Sequence, residues 1–279
     1  MAIITVSRGS LGLGAALAEK LAGVLEYPCL GREVAREAAE KCGIPPELME
    51  KKVEESPSLW ERMTAERTAY VVAMQAILAE RAVGGQLLYH GYVGHLLLKG
   101  MPALLRVRVI APMEVRVPMV MEEQRIGAEA AEAHIKKMDE ARARWTRFVF
   151  GVDWQDPGLY DLVLNLGVIS VETACESLAG IARSPEFAVN DSVLGRLRDF
   201  AVASRVRLAL VTSPLTRTSN LEVEVQDGIA FIKGVLPRDP RYADAENRSR
   251  KALQDLVMSV EGVKHLKLGL DALPSTPMD

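Results

Sequence analysis

Three glycines stand just ahead of an apolar helical pattern, in Arg8-Gly9-Ser10-Leu11-Gly12-Leu13-Gly14. They follow the β-branched run Ile3-Ile4-Thr5-Val6 and precede Leu17, Leu21, Val24 and Leu25 at helical spacing. A glycine-rich turn between a strand and a helix lets backbone N–H groups face an anion, and the helix N-terminus adds a favourable dipole. Arg8, Gly9, Ser10, Gly12 and Gly14 are the candidate phosphate-binding set; a tight strand–helix turn with no ligand is the other reading of the same residues. A second cluster is His90-Gly91-Tyr92-Val93-Gly94-His95 after the apolar run Leu87-Leu88-Tyr89. It falls at the C-terminal end of a strand, where α/β sheets bind ligands, so His90 can meet a phosphate or a base. An ordinary hydrogen-bonded histidine is the alternative. His90 and His95 are five apart and do not share a helix face, and Cys29, Cys42 and Cys175 lack metal-site spacing, so no metal site is expected. The third cluster is basic. Lys137, Arg144 and Arg147 are spaced by seven and three and share a helix face, and arginine suits bidentate contact with phosphate. Asp139 and Arg142, three apart, can pair on that helix. A solvated charged face is the competing reading.

The elements that must position these residues follow from periodicity. Strands are expected at 2–7, 86–89, 104–110 and 162–165. Helices are expected at 15–25, 32–42, from Pro45-Pro46, at 59–83 (ended by Gly84-Gly85), 113–123, 128–149 and 170–182, the last with Ser170 as N-cap. Strands alternating with helices predict an α/β fold with a parallel sheet flanked by helices. The pattern changes after Arg183-Ser184-Pro185. A helix at 193–211, a hairpin of strands 221–225 and 229–235 around Asp227-Gly228, a helix at 241–260 and a strand at 263–270 make a small α+β module. Two units are expected, 1–185 and 193–279, joined by a linker at 186–192.

The 279 residues are 49% hydrophobic and 25% charged, enough to build a core and incompatible with a mostly disordered chain. Net charge is −3, so no global basic field exists to hold nucleic acid or an anionic membrane. The first apolar run is too short for a signal-peptide core and no stretch has the length of a membrane span, which predicts a cytoplasmic protein.

Residues 1–183 resemble the cytidylate kinase-like family, a branch of the P-loop nucleoside monophosphate kinases. The resemblance rests on Ile4-Thr5-Val6-Ser7-Arg8 running into the glycine-rich turn, on Ile110-Ala111-Pro112-Met113-Glu114-Val115-Arg116, and on Lys137-Met138-Asp139-Glu140-Ala141-Arg142, which is similar to the family's lid motif. Its most specific piece is Phe150-Gly151-Val152-Asp153-Trp154, Asp156-Pro157 and Leu159-Tyr160-Asp161-Leu162-Val163-Leu164-Asn165. The resemblance implies ATP as phosphoryl donor, with Mg²⁺, and a nucleotide acceptor. It also implies a catalytic role for the lid arginines Arg142, Arg144 and Arg147, and acceptor-side contacts from Arg32, His90, Tyr92, Lys137 and Asp139. The chain departs from the pattern at two places. A Lys and a hydroxyl belong where Ala15 and Ala16 stand. The Arg and Asp that hold the acceptor nucleotide in cytidylate kinases are Gly91 and Tyr92 here. An impaired enzyme that senses a nucleotide, and a structural interaction protein, are therefore weighed beside the kinase.

Residues 193–271 resemble BON domains, on Leu221–Val235 and on Val260-Glu261-Gly262-Val263-Lys264-His265-Leu266. That resemblance implies a protein or lipid ligand for the second unit. A homo-oligomer is a further open expectation.

Overall fold

The computed structural model describes residues 2–8, 12–44, 64–236 and 245–271. Strand β1 (Ile3–Arg8) lies in the middle of a five-stranded sheet, and β-branched, apolar residues that are buried on both faces explain why. Its neighbours are β3 (Leu87–Tyr89) and β4 (Leu104–Ile110); β2 (Cys29–Leu30) and β5 (Leu162–Asn165) are the edges. The order is β2-β3-β1-β4-β5 and every pair is parallel. Parallel strands need helical crossovers. These are α1 (Gly12–Leu25), α2 (Glu33–Lys41), α3 (Thr64–Arg81), the short α4 (Gly94–Leu97), α5 (Met113–Gln124) and α6 (Ala128–Phe150); α7 (Val171–Ala182) follows the last strand, β5.

Alternation along the strands splits the core in two. Ile4, Val6, Leu105, Val107 and Val109 pack against Leu17 and Leu21 of α1 and Leu178 of α7. On the other face Ile3, Leu87 and Tyr89 pack with Ala73 and Ile77 of α3 and Trp145 of α6. Each fully buried Leu or Ile contributes roughly 1.5–3 kcal/mol relative to exposure. Helices α5 and α6 form a hairpin with its own small cluster, Val120, Ala131 and Ile135.

A further α+β segment runs α8 (Asp191–Thr212, starting within the linker expected at 186–192), β6 (Leu221–Gln226), β7 (Ile229–Val235), α9 (Ala245–Met258) and β8 (His265–Asp271). Its sheet has the order β6-β7-β8, antiparallel then parallel. Both helices cover one face, through Val206, Leu210, Leu253 and Val257. Helix α8 belongs to both cores: Leu197 and Ala201 are buried in the first, Val202, Val206 and Leu210 in the second. Gly85 meets Val189 so closely that a Cβ would lie 2.8 Å from it.

Most expected elements are present with small shifts of their ends. Ser170 caps α7 as expected, accepting from the Thr173 N–H at 3.1 Å. Two short elements, β2 and α4, have no counterpart in the periodicity; two and four residues carry too little of it. Helix α1 starts at Gly12 rather than 15, so Gly12 and Gly14 belong to its first turn and not to the preceding turn. The helix expected from Pro45-Pro46, residues 59–63 of the long helix and residues 241–244 lie outside the described residues.

Candidate functional site

Helix α1 reaches the C-terminal ends of the strands, and there a cleft of about 600 Å³ opens between it, α2, α3 and the α5–α6 hairpin. Gly12 and Ala15 line it from α1, Arg32 from the start of α2, His90 and Tyr92 from the loop after β3, and Arg142 from α6. Five of the predicted site residues thus converge on one cavity: Gly12, Arg32, His90, Tyr92 and Arg142. Arg32 is exposed at the cleft's edge. Tyr70 and Met74, one helical turn apart on α3, and Trp145 form an apolar wall. Sequence reasoning missed Tyr70, Met74 and His134; the i, i+4 repeat on α3 was a signal for the first two, and His134 carried none.

The loop after β3 is shaped by Tyr89. Its ring lies under both loop glycines: a Cβ on Gly91 would sit 2.1 Å from the Tyr89 Oη, and one on Gly94 2.4 Å from Cδ1. Between them Val93 holds φ 54°, a left-handed backbone that costs a β-branched residue about 1–3 kcal/mol. Tyr92 lines the cleft and turns its hydroxyl onto α6. The hydroxyl donates to the Arg142 carbonyl, and Thr146 Oγ1 lies 2.7 Å away. Its ring packs on Trp145 at 5.1 Å between centroids. Burial pushes the Tyr92 phenol well above its ordinary range, so it stays protonated.

The other lid residues face elsewhere. Asp139 pairs with Arg116 of α5 at 2.6 Å, not with Arg142, because the α5–α6 hairpin brings that guanidinium across. Arg144 lies 3.4 Å from Glu140, and Arg147 3.7 Å from Asp153; both are exposed and outside the cleft lining. Lys137 is exposed and also outside it. Gly14 is buried within α1. Arg8 ends β1, and Gly9 and Ser10 lie outside the described residues. His95 is not in the cleft. It is 2% exposed, packs on Tyr160 at 4.5 Å, and neither ring nitrogen has a hydrogen-bond partner. Burial, with Arg106 and Arg108 nearby, holds its pKa down at about 4.

Two guanidinia beside an aromatic wall can hold an anion that carries a flat ring. Residues 3–168, more than half of the chain, match the model of the cytidylate kinase-like family. The chain belongs to the cytidylate kinase-like family. A cytidylate kinase from Methanopyrus kandleri (strain AV19) is 29% identical over 140 residues, 48% of this chain and 67% of that protein. An uncharacterized protein from Eubacterium ventriosum ATCC 27560 shares the fold with a TM-score of 0.51 and 18% identity, over 66% of this chain and 99% of the other. A shikimate kinase from Acinetobacter baumannii, solved in complex with shikimate, matches with a TM-score of 0.37 and 12% identity over 65% and 93% of the two chains. Membership in the cytidylate kinase-like family supports a nucleotide-kinase-like function. No described helix is long and apolar enough to cross a membrane.

Cytidylate kinase-like proteins generally use ATP and Mg²⁺, and the fit here is uneven. The start of α1 faces the cleft through Gly12 and Ala15. The position of the phosphate-binding Lys is thus a methyl group, and Ala16 has no hydroxyl for the metal. Among the described residues no cluster of three His, Cys, Asp or Glu side chains can hold a metal ion. The residues present fit the anionic and aromatic parts of a nucleotide and do not fit a protein-held Mg²⁺.

Proposed function

We propose that the chain binds a nucleotide in the α1–α3–lid cleft and that its phosphoryl transfer from ATP is severely impaired. The observation that carries this reading is the cleft lining itself: Arg32, His90 and Arg142 converge on a space walled by Tyr70 and Trp145, while Ala15 faces the same space. Arg32 and Arg142 hold the phosphate of the acceptor, and the aromatic wall takes its base. Ala15 and Ala16 remove two contacts to the transferring group. Each such contact is worth roughly 3–4 kcal/mol in the transition state, or about 10²–10³ in rate. Arg144, Arg147 and Lys137 on α6 and Arg8 at the end of β1 are further contacts for the phosphates, and Gly9 and Ser10 together with Gly12 and Gly14 in the first turn of α1 serve the donor. The changes at Gly91 and Tyr92 leave no Arg–Asp pair for cytosine, so the acceptor is not expected to be CMP in particular. A cytoplasmic location and a BON-like second unit (193–279) that reads the nucleotide state belong to the same proposal.

The test is a thermal-shift panel of ATP, AMP, CMP, UMP and dCMP, with and without Mg²⁺, on the wild-type chain and on Arg32→Ala and Arg142→Ala. Ligands that bind only the native state raise the melting temperature by mass action. A shift with at least one nucleotide, lost in both variants, is expected. No shift with any nucleotide at millimolar concentration, or shifts that survive both substitutions, contradicts the reading.

A further inference from the structure

Alternation along β6, β7 and β8 gives their sheet two unlike faces. Val223, Ala230 and Ile232 point into the core under α8 and α9, and Leu266 and Leu268 pack against it. The intervening residues lie on the other face. Strand register sets them in rows: Glu222–Lys233–Gly269, Glu224–Phe231–Lys267 and Gln226–Ile229–His265. Both ends of every row are exposed, so no described element lies over them, while Phe231 and Ile229 between them are half-buried.

This face is split by charge. Its carboxylates, Glu222 and Glu224, stand on β6. Its cations gather on the β8 side. Lys267 is on β8, with its Nζ 5.1 Å from the centre of the Phe231 ring. Lys233 is on β7 but runs its stem across Gly269, where a Cβ would lie 3.5 Å from the Lys233 Cγ. None of these four side chains forms an ion pair with another described residue. Arg207, beyond the β6 edge, and Glu224 act on each other only through space. The pair Val235 and Asp271 lies past the end of β6 and has no β6 member.

A uniformly acidic partner would be attracted to the β8 side of this face and repelled by the β6 side, and a basic one the reverse. A second copy of the face satisfies both. A twofold axis laid along β7, between two facing sheets, keeps each row at its own height and exchanges its ends. Glu224 then meets Lys267 of the second copy. Glu222 meets the ammonium of the second copy's Lys233 over Gly269, Gln226 meets His265, and the two Phe231 rings meet near the axis. Aligned sheets pack about 10 Å apart, a gap that Glu and Lys side chains together can span.

We propose that this face is a self-complementary surface through which two copies of the chain pair, sheet against sheet. Three strands of about six residues span roughly 14 by 20 Å, which places the contact among small, reversible interfaces. The pairing is independent of the nucleotide cleft.

Sedimentation equilibrium of the full chain, from about 5 to 500 µM, tests it; a dimer with Kd of about 10–100 µM is expected. The variants are Glu224→Lys and Lys267→Glu. Both side chains are exposed, so neither change opens a core. Each variant alone sets like charges against each other twice in the symmetric pair, and its Kd should rise tenfold or more. Mixed one to one, the two variants regain two opposite-charge pairs across the interface, although no charge within either chain has changed. The mixed dimer should return to within about threefold of the wild-type Kd. A wild-type chain that stays monomeric over the whole range overturns the proposal. So does a variant that associates alone as well as wild type, or a mixture that associates no more tightly than its components.

Discussion

Replacing Tyr92 by Phe removes one oxygen and tests whether this residue serves the lid or the ligand. In the structure its hydroxyl points to α6, where it meets the Arg142 carbonyl and Thr146 Oγ1. Neither partner is orphaned by the change, because Thr146 Oγ1 also donates to the same carbonyl at 2.9 Å. The loss is therefore the net value of one or two hydrogen bonds, about 1–2 kcal/mol, rather than the larger penalty of a stranded buried group. The ring and its contact with Trp145 remain. For a chain of this size, a change of that order lowers Tm by roughly 2–6 °C. Urea unfolding followed by tryptophan fluorescence reads the stability, and titration with nucleotide reads the cleft. The expected result is a lower midpoint with nucleotide affinity unchanged within about twofold, a difference under 0.5 kcal/mol. Unchanged stability with a tenfold or greater loss of affinity would refute the reasoning, since the hydroxyl would then have to face the ligand.

Three further expectations follow from the same geometry. His95 titrates near 4 when folded and near 6.5 when unfolded, so the unfolded chain binds the extra proton first. Stability is full above about pH 6.5 and falls by up to about 3 kcal/mol as the pH drops to 4; urea midpoints across that range should show the slope, and His95→Leu should flatten it. Restoring the family's arginine with Gly91→Arg should destabilise by at least about 2 kcal/mol and not improve nucleotide binding, because its Cβ collides with Tyr89; a stable variant with tighter binding in calorimetry would contradict this. A chain ending at 185 loses Leu197 and Ala201 from the first core, so its circular-dichroism melt should lie well below that of the full chain; equal melting would show that α8 contributes nothing there.

Much of the fold was legible because its signals are periodic. The buried β1, the alternating β4 and β6 and the capped α7 all declare themselves in residue order. What was hidden was local or long-range. Helix α4 has four residues, and its start depends on the left-handed backbone of Val93, which periodicity cannot reveal. The role of α8 in both cores needs Leu197 to find α3, a contact between elements more than 100 residues apart. The site was half legible. Arg32, Tyr92 and Arg142 were expected from the family resemblance, and His90 also from its place at the end of a strand; all four line the cleft. Arg144 and Arg147 share that helix but pair with Glu140 and Asp153, an outcome set by side-chain partners and not by spacing. Asp139 joins Arg116 because a helical hairpin, rather than one helix, decides its neighbour.

The most direct test of the account is turnover. A coupled assay supplies ATP and Mg²⁺ with CMP, UMP, dCMP or AMP as acceptor, on the wild-type chain beside Arg32→Ala and Arg142→Ala. With Ala15 and Ala16 standing where a P-loop carries its Lys and hydroxyl, the expected rates are at least about 10²-fold below the roughly 1–10³ s⁻¹ of ordinary enzymes for every acceptor, even where the nucleotide binds. Turnover near or above about 1 s⁻¹, abolished by Arg142→Ala, would contradict it and make the chain a working kinase.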